Sequence, residues 1–148
     1  MNELNDLKPL LLKLRMSGIL ENLEQLLQTA LEQQWSYTQV LLHLFGTEVD
    51  GCNHKQVCFR LSRSGLDIQK TLETFDFGFT RSVTKSVITE LAECSFIDRG
   101  ENIFFVGPSG VGKTHLATAI GHEACRKGYD VYYQRTSNLL DWLHSGHG

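Results

Sequence analysis

The chain has 148 residues, enough for one or two domains, and its shares of apolar (41%) and charged (21%) residues are ordinary for a soluble globular protein. Its net charge of −3 provides no global basic field for nucleic acid, although a local basic patch is compatible with it. No apolar run approaches the length of a membrane span, and the opening MNELNDLKPLLLKL does not resemble a secretory signal. The sequence therefore predicts a cytoplasmic protein without a membrane partner.

Leucines at helical spacing dominate the first third of the chain and predict two helices. The first stripe comprises Leu4, Leu7, Leu10, Leu11 and Leu14, and the second comprises Leu20, Leu23, Leu26, Leu27 and Leu31. Gly18 is expected to end the first helix, and the second is expected to run from Ile19 to about Gln34. Segments this short and interrupted do not favour a coiled coil, so they predict a small bundle of antiparallel helices with the stripes in its core.

A third and a fourth helix are predicted next. Ser36 and Gln39 have the spacing of a capping box, which marks a helix start, and VLLHLFGTEV continues the pattern. The glycine and asparagine of residues 51–53 are expected to break this helix, and another is expected over roughly Lys55–Ser64. The sequence therefore predicts a helical domain over residues 1–66.

The helical spacing of apolar residues is interrupted in RSGLDIQKTLETFDFGF. This interruption predicts an interdomain segment over residues 67–80. The pattern then returns to helix in TRSVTKSVITELAECSF, at the start of a second domain predicted over residues 81–148. Two strands are predicted in this domain, one in NIFFVG after Asn102 and one in DVYYQRT after Gly128. A last helix, SNLLDWL, is expected to have Ser137 as its N-cap.

The stretch GPSGVGKT has the spacing of a phosphate-binding loop, G-x-x-x-x-G-K-[ST]. It stands between a predicted strand and a predicted helix, KTHLATAIGHEACR, as such a loop should. Its glycines allow the backbone to approach a ligand, and its amides together with the helix N-terminus form a nest for anionic oxygens. Lys113 is expected to reach the β- and γ-phosphates and the Thr114 hydroxyl to bind Mg²⁺. A glycine-rich turn without a ligand, the alternative, leaves Lys113 and Thr114 unexplained. His115 either faces the nucleotide or is a partly exposed helix residue.

The stretch SFIDRGENIFFVGPSGVGKTHLATAIGHEACRKGYDVYYQRTSNLLDWL resembles the IstB family of insertion-sequence helper ATPases, which belong to the AAA+ group and are similar to DnaC-type helicase loaders. The earlier LKPLLLKLRMSGILENLEQLL and KTLETFDF extend the resemblance over nearly the whole chain. It implies an α/β fold, in which an N-terminal helical bundle precedes the first part of a P-loop (AAA+) nucleotide-binding domain with an incomplete sheet. The sequence is thus expected to be the N-terminal part of a longer protein.

The resemblance also implies a function, which is binding of ATP with Mg²⁺ and assistance to a transposase in capturing target DNA, as a homo-oligomer. The implied phosphate-binding residues are Gly107, Ser109, Gly110, Val111, Gly112, Lys113 and Thr114, with Thr114 also the Mg²⁺ ligand. Phe75 and Phe77 either lie near the base or anchor a linker as core aromatics.

Two departures from the family pattern limit what is expected of this chain. The segment before the linker, often densely basic in the family, has only Lys55, Arg60 and Arg63, so DNA binding is expected to be weak, sequence-tolerant and salt-sensitive. The acids after Thr114 are Glu123, Asp130 and Asp141, and none follows a strand as the Mg²⁺-binding acid of an ATPase should. No catalytic residue is therefore assigned, and the chain alone is not expected to hydrolyse ATP.

Four functions remain open at this point. The first is an ATP-binding helper of transposition, and the second is a DnaC-like helicase loader in replication. The third is a non-catalytic interaction fragment whose loop is idle. A small-molecule kinase is the fourth, and it is disfavoured because the loop follows a long helical region instead of opening the chain.

Overall fold

The structure is a computed structural model that describes residues 3–78 and 83–146, and these residues form seven helices and no β-strand. The helices are α1 (Glu3–Lys13), α2 (Ser17–Glu32), α3 (Tyr37–Ser64), α4 (Lys85–Ala92), α5 (Ser95–Asp98), α6 (Lys113–Arg126) and α7 (Thr136–His144). The chain divides into two compact units, and the division falls between Gln56 and Val57. No helix in the described part is long and apolar enough to cross a membrane.

The first unit is built around a small leucine-rich core. Leu11, Ile19 and Leu23 are buried in it, and partly buried residues pack around them: Leu4, Met16, Leu20, Leu27 and Leu44. The leucine spacing therefore predicted the helices correctly, but only some members of each stripe are covered. Leu31, for example, closes the second stripe and is 81% exposed.

Gly18 does not end a helix, as the sequence predicted, but lies buried in the first turn of α2. The turn between α1 and α2 is made instead by Arg15, whose φ is +59°. A Cβ on Gly18 would lie 3.0 Å from the carbonyl oxygen of Thr47 and 3.2 Å from the Cα of Glu48. Gly18 is thus a contact residue, because its missing side chain lets the backbone of α3 approach α2.

Glu48 of α3 supplies a cap for α2. The side chain of Glu48 is buried, and its Oε2 accepts a hydrogen bond of 2.9 Å from the backbone N–H of Ile19. Its other oxygen accepts a hydrogen bond of 3.6 Å from the thiol of Cys52. The N-cap residue of α2, Met16, makes no side-chain cap bond of its own. Glu48 therefore satisfies one of the amides that a helix N-terminus leaves without an intrahelical acceptor.

Glu48→Ala is expected to lower the free energy of unfolding of the first unit by about 1–3 kcal/mol, because the Ile19 amide would stay buried without an acceptor. Urea unfolding followed by Trp35 fluorescence, in a Trp142→Phe background, measures this effect. Asp50→Ala is the matched control, since Asp50 is an exposed acid on the same helix. Equal losses in the two variants would show that Glu48 does not act as a cap.

The predicted capping box at the start of α3 is confirmed. The Ser36 hydroxyl accepts the N–H of Gln39 at 3.3 Å, and the Gln39 side chain accepts the N–H of Ser36 at 2.8 Å. The predicted break at residues 51–53 is wrong, because α3 runs without interruption to Ser64. A Cβ on Gly51 would lie 3.7 Å from the Cα of Gly18, so α3 passes close to α2 at this point. Close packing there outweighs the low helix propensity of glycine, which costs about 1 kcal/mol.

The two predicted strands of the second unit are not formed. Residues 101–106 and 129–135 have no regular secondary structure, and Phe104 and Val106 are 84% and 92% exposed. An apolar run rich in β-branched and aromatic residues shows only a preference for the extended conformation. A β-strand also requires a neighbouring segment that pairs with it through backbone hydrogen bonds. In the second stretch the Tyr133 N–H donates to the Ser64 carbonyl at 2.7 Å, and the Tyr129 N–H donates to the Ala124 carbonyl at 3.0 Å. The helical half of the predicted strand–loop–helix is confirmed as α6.

The remaining helices differ from their predictions at their ends. The helix predicted from residue 80 is described from Lys85 onward, and it is followed by Cys94, whose φ is +60°. The predicted boundary between residues 80 and 81 lies in residues 79–82, outside the described part. The prediction of Ser137 as an N-cap is wrong, because α7 begins at Thr136 with Arg135 in the N-cap position. The Ser137 hydroxyl donates to the Asn138 side chain at 3.3 Å.

Candidate phosphate-binding site

The candidate loop leads directly into α6. Gly112 is the N-cap residue of α6 and has a φ of +87°, and Gly110 has a φ of +82°, both in the region that favours glycine. Gly112 has no side chain with which to cap α6, and the first amides of a helix have no intrahelical acceptors. Such amides, with the positive end of the helix dipole, suit an anionic group.

The two diagnostic side chains stand at the start of the same helix. The ammonium group of Lys113 donates to the carbonyl of Pro108, so this side chain folds back over the loop. Thr114 is exposed, and a Cβ on Gly110 would meet no atom within 4 Å, so the loop backbone is open there. An ammonium, a hydroxyl and helix amides are a donor set that fits a triphosphate with Mg²⁺.

The structure places all seven predicted residues in one continuous stretch that enters α6: Gly107, Ser109, Gly110, Val111, Gly112, Lys113 and Thr114. Their binding of phosphate stays a prediction. Two of the three acids that follow Thr114 lie near arginines. Glu123 accepts a hydrogen bond of 2.6 Å from Arg126, and Asp130 lies 3.8 Å from the Arg60 guanidinium.

Phe75 lies against the loop. If Gly112 carried a Cβ, that atom would lie 2.6 Å from Cε2 of Phe75, so the ring occupies the space where a side chain would stand. The ring also meets Phe77 edge-on at 4.9 Å between centroids and His115 at 5.2 Å. The structure thus places Phe75 beside the candidate site, while contact of Phe75 or Phe77 with a base stays a prediction.

Residues 65–77, called here the connecting segment, are held against α6 at several points. Two of these contacts come from histidines of α6. Nε2 of His122 bonds the carbonyl of Asp67 at 2.9 Å, and Nε2 of His115 bonds the carbonyl of Thr71 at 2.8 Å. Sequence reasoning missed this arrangement. The one available signal was that the two histidines are about two helical turns apart and therefore share a face of α6.

Two carboxylates of the connecting segment are held in their charged form. The pKa of Glu73 is lowered to about 2, because its carboxylate accepts hydrogen bonds from the Thr71 hydroxyl and from its own backbone amide and lies near Arg126. The pKa of Asp67 is lowered by hydrogen bonds from Lys70 and from the Gln69 amide. The Glu73 carboxylate also lies 3.4 Å from the guanidinium of Arg126 on α6 and so contributes to the contact of this segment with that helix.

Comparison with known proteins gives a single family. The family model described as IstB-like ATP binding protein matches residues 9–148. A protein named for ATP binding in insertion sequence IS21 of Pseudomonas aeruginosa is 35% identical over 140 residues, which cover 95% of this chain and 53% of the relative. Its counterpart in IS5376 of Geobacillus stearothermophilus is 42% identical over 108 residues, covering 73% of this chain and 43% of the relative.

A third relative, named for ATP binding in an insertion sequence of Mycobacterium tuberculosis, is 33% identical over 134 residues, covering 90% of this chain and 53% of the relative. The chain spans about half the length of the curated relatives it matches. The matched region includes the end of α1, all of α2 and α3, the connecting segment and the loop before α6. Because the family model matches nearly all of it, the chain belongs to the family of IstB-like ATP binding proteins.

Proposed function

We propose that this chain is an ATP-binding helper of DNA transposition that assists a transposase in capturing target DNA. The observation that carries the proposal is the loop at the start of α6, where two glycines at positive φ precede Lys113 and Thr114. The insertion-sequence relatives, which are named for ATP binding, support the same reading.

In this proposal the triphosphate binds at the first turn of α6. The helix amides hold its oxygens, and the ammonium of Lys113 moves from the Pro108 carbonyl to the β- and γ-phosphates. Mg²⁺ supplies charge neutralisation at the phosphates, and the Thr114 hydroxyl contributes one oxygen ligand to it. These groups favour a bound triphosphate whether or not hydrolysis follows.

The proposed macromolecular partners are a transposase, DNA and further copies of the same protein. Contacts to DNA are proposed to be weak and salt-sensitive, because the stretch before the connecting segment offers few basic residues. A helicase loader of the DnaC type is the alternative, and the insertion-sequence names of the relatives favour transposition over it. Co-purification with a transposase rather than with a replicative helicase distinguishes the two.

Titration with a fluorescent ATP analogue tests the nucleotide site. We expect weak, saturable binding that depends on Mg²⁺, and no phosphate release near the rate of a typical ATPase, on the order of one per second or faster. The reason is that none of the acids after Thr114, which are Glu123, Asp130 and Asp141, is assigned to Mg²⁺ or to the attacking water. Absence of saturable binding would favour the non-catalytic interaction fragment. Turnover at the typical rate would reveal an acid that the structure does not bring to the loop.

A further inference from the structure

We propose that His115 is a positioning residue for the triphosphate. Its hydrogen bond holds the connecting segment in the position in which the Phe75 ring packs against Gly112 of the phosphate loop. This inference rests on the proposed ATP site, but the residues that it adds, His115, Thr71 and Phe75, lie outside the loop motif itself. His115 is described as a positioning residue because it acts on the loop through Thr71 and Phe75.

A hydrogen bond joins His115 to the connecting segment. His115 directly follows Thr114, and its ring bonds a residue 44 positions earlier in the sequence. Nε2–H donates to the Thr71 carbonyl at 2.8 Å and lies 3.3 Å from the Thr74 hydroxyl oxygen. One ring nitrogen therefore engages both ends of the short turn from Thr71 to Thr74.

Phe75 connects that turn to the phosphate-binding loop. Phe75 follows Thr74 immediately, and its ring packs edge-on against His115 and against the face of Gly112 that lacks a side chain. Gly112 is the N-cap of α6, so its backbone angles set the direction of the first helix amides. Glycine is the residue with the most conformational freedom, and a ring packed against it removes part of that freedom before a ligand binds.

The bond between His115 and Thr71 is one of several attachments of the connecting segment to α6. The start of the connecting segment is fixed independently of His115, by the bond from His122 to the Asp67 carbonyl and by Leu66, which would lie 3.0 Å from a Cβ on Gly121. Loss of His115 should therefore loosen the Phe75 end of the segment, where the exposed pair of Glu73 and Arg126 remains, and leave its start in place. The expected consequence is a less ordered loop on an otherwise folded unit.

The effect should fall on the phosphates and not on the base. If Phe75 orders the loop, inorganic tripolyphosphate must lose as much affinity as ATP when the bond from His115 is removed. If Phe75 instead contacts the base, ATP alone must lose affinity. Comparison of these two ligands therefore separates support of the loop from recognition of the base.

The binding experiment uses His115→Ala, His115→Gln and, as a matched control, His144→Ala. His144 also bonds a backbone carbonyl, that of Leu140, but lies on α7. We expect His115→Ala to weaken Mg·ATP and Mg·tripolyphosphate equally, by about tenfold. His115→Gln should recover most of the loss, because its side-chain amide can donate to the Thr71 carbonyl, and His144→Ala should have no effect. A loss confined to ATP, or a glutamine variant as weak as the alanine variant, would overturn the proposal.

A second measurement needs no ligand. Hydrogen exchange of the amides from Ser109 to Thr114 should be faster in His115→Ala than in the unsubstituted chain, and near normal in His115→Gln. Unchanged exchange in His115→Ala would refute the positioning role even if nucleotide binding is confirmed. If the unsubstituted chain binds neither ligand, the proposed ATP site fails, and the exchange data still decide whether His115 orders the loop.

Discussion

Lys113→Ala is expected to lower the affinity for Mg·ATP by about a hundredfold, which for a weak site means loss of detectable binding. Lys113 is the only lysine or arginine between Gly107 and Cys125, and its ammonium already lies over the loop on the Pro108 carbonyl. A charge-assisted hydrogen bond to phosphate is one of the stronger polar contacts a protein makes. The helix amides that remain cannot replace a full positive charge.

Lys127→Ala is the matched control for this experiment. Lys127 stands at the other end of α6 and pairs with Glu93 at 2.6 Å, so its removal should leave nucleotide affinity unchanged. Both variants are titrated with the same fluorescent ATP analogue, and circular dichroism at 222 nm checks that they keep their helices. If Lys113→Ala bound as well as Lys127→Ala, the loop would not be a triphosphate site.

Leu23→Ala is expected to lower the free energy of unfolding of the first unit by about 2–5 kcal/mol. Leu23 is 1% exposed and lies in the core with Leu11 and Ile19, so truncation leaves a cavity as well as losing apolar burial. The core of this unit has few members, and a loss of this size is a large part of the stability of a small domain. Residual unfolded protein should be detectable without denaturant.

Leu31→Ala on the same helix is the control, since 81% exposure of Leu31 leaves little contact to lose. The two variants have the same chemical change and differ in burial alone. Urea unfolding is followed by Trp35 fluorescence in the Trp142→Phe background, so that the signal comes from the first unit. Similar midpoints for the two variants would contradict the placement of Leu23 in the core.

Helices were the part of the fold that could be predicted from sequence, because their signals are local. Leucine spacing located α1 and α2, and the Ser36–Gln39 capping box located the start of α3. Gly18 was misread because its role is to let a neighbouring helix approach, which leaves no local signal. The predicted strands failed for a related reason, since pairing depends on a second segment and not on the apolar run itself.

The candidate site, like the fold, could be predicted from sequence only where its signals are local. The loop motif could be predicted because its glycines, Lys113 and Thr114 lie in one short stretch that precedes a helix. The contact between His115 and Thr71 could not be predicted, because it joins residues that are far apart in the sequence. Its acceptor is a backbone carbonyl, which any residue type would supply. The resemblance to the IstB family drew attention to Phe75, but only the structure placed its ring against Gly112.

The exposed apolar run before the loop has a consequence for the behaviour of the chain in solution. Residues 102–106, NIFFV, contain no charge and no proline, and Phe104 and Val106 are almost fully exposed. Short segments of this composition can stack with copies of themselves into ordered aggregates. Self-association through this run would grow with protein concentration and would compete with any titration. The run therefore sets an upper limit on the concentration at which nucleotide affinity can be measured on dispersed chains.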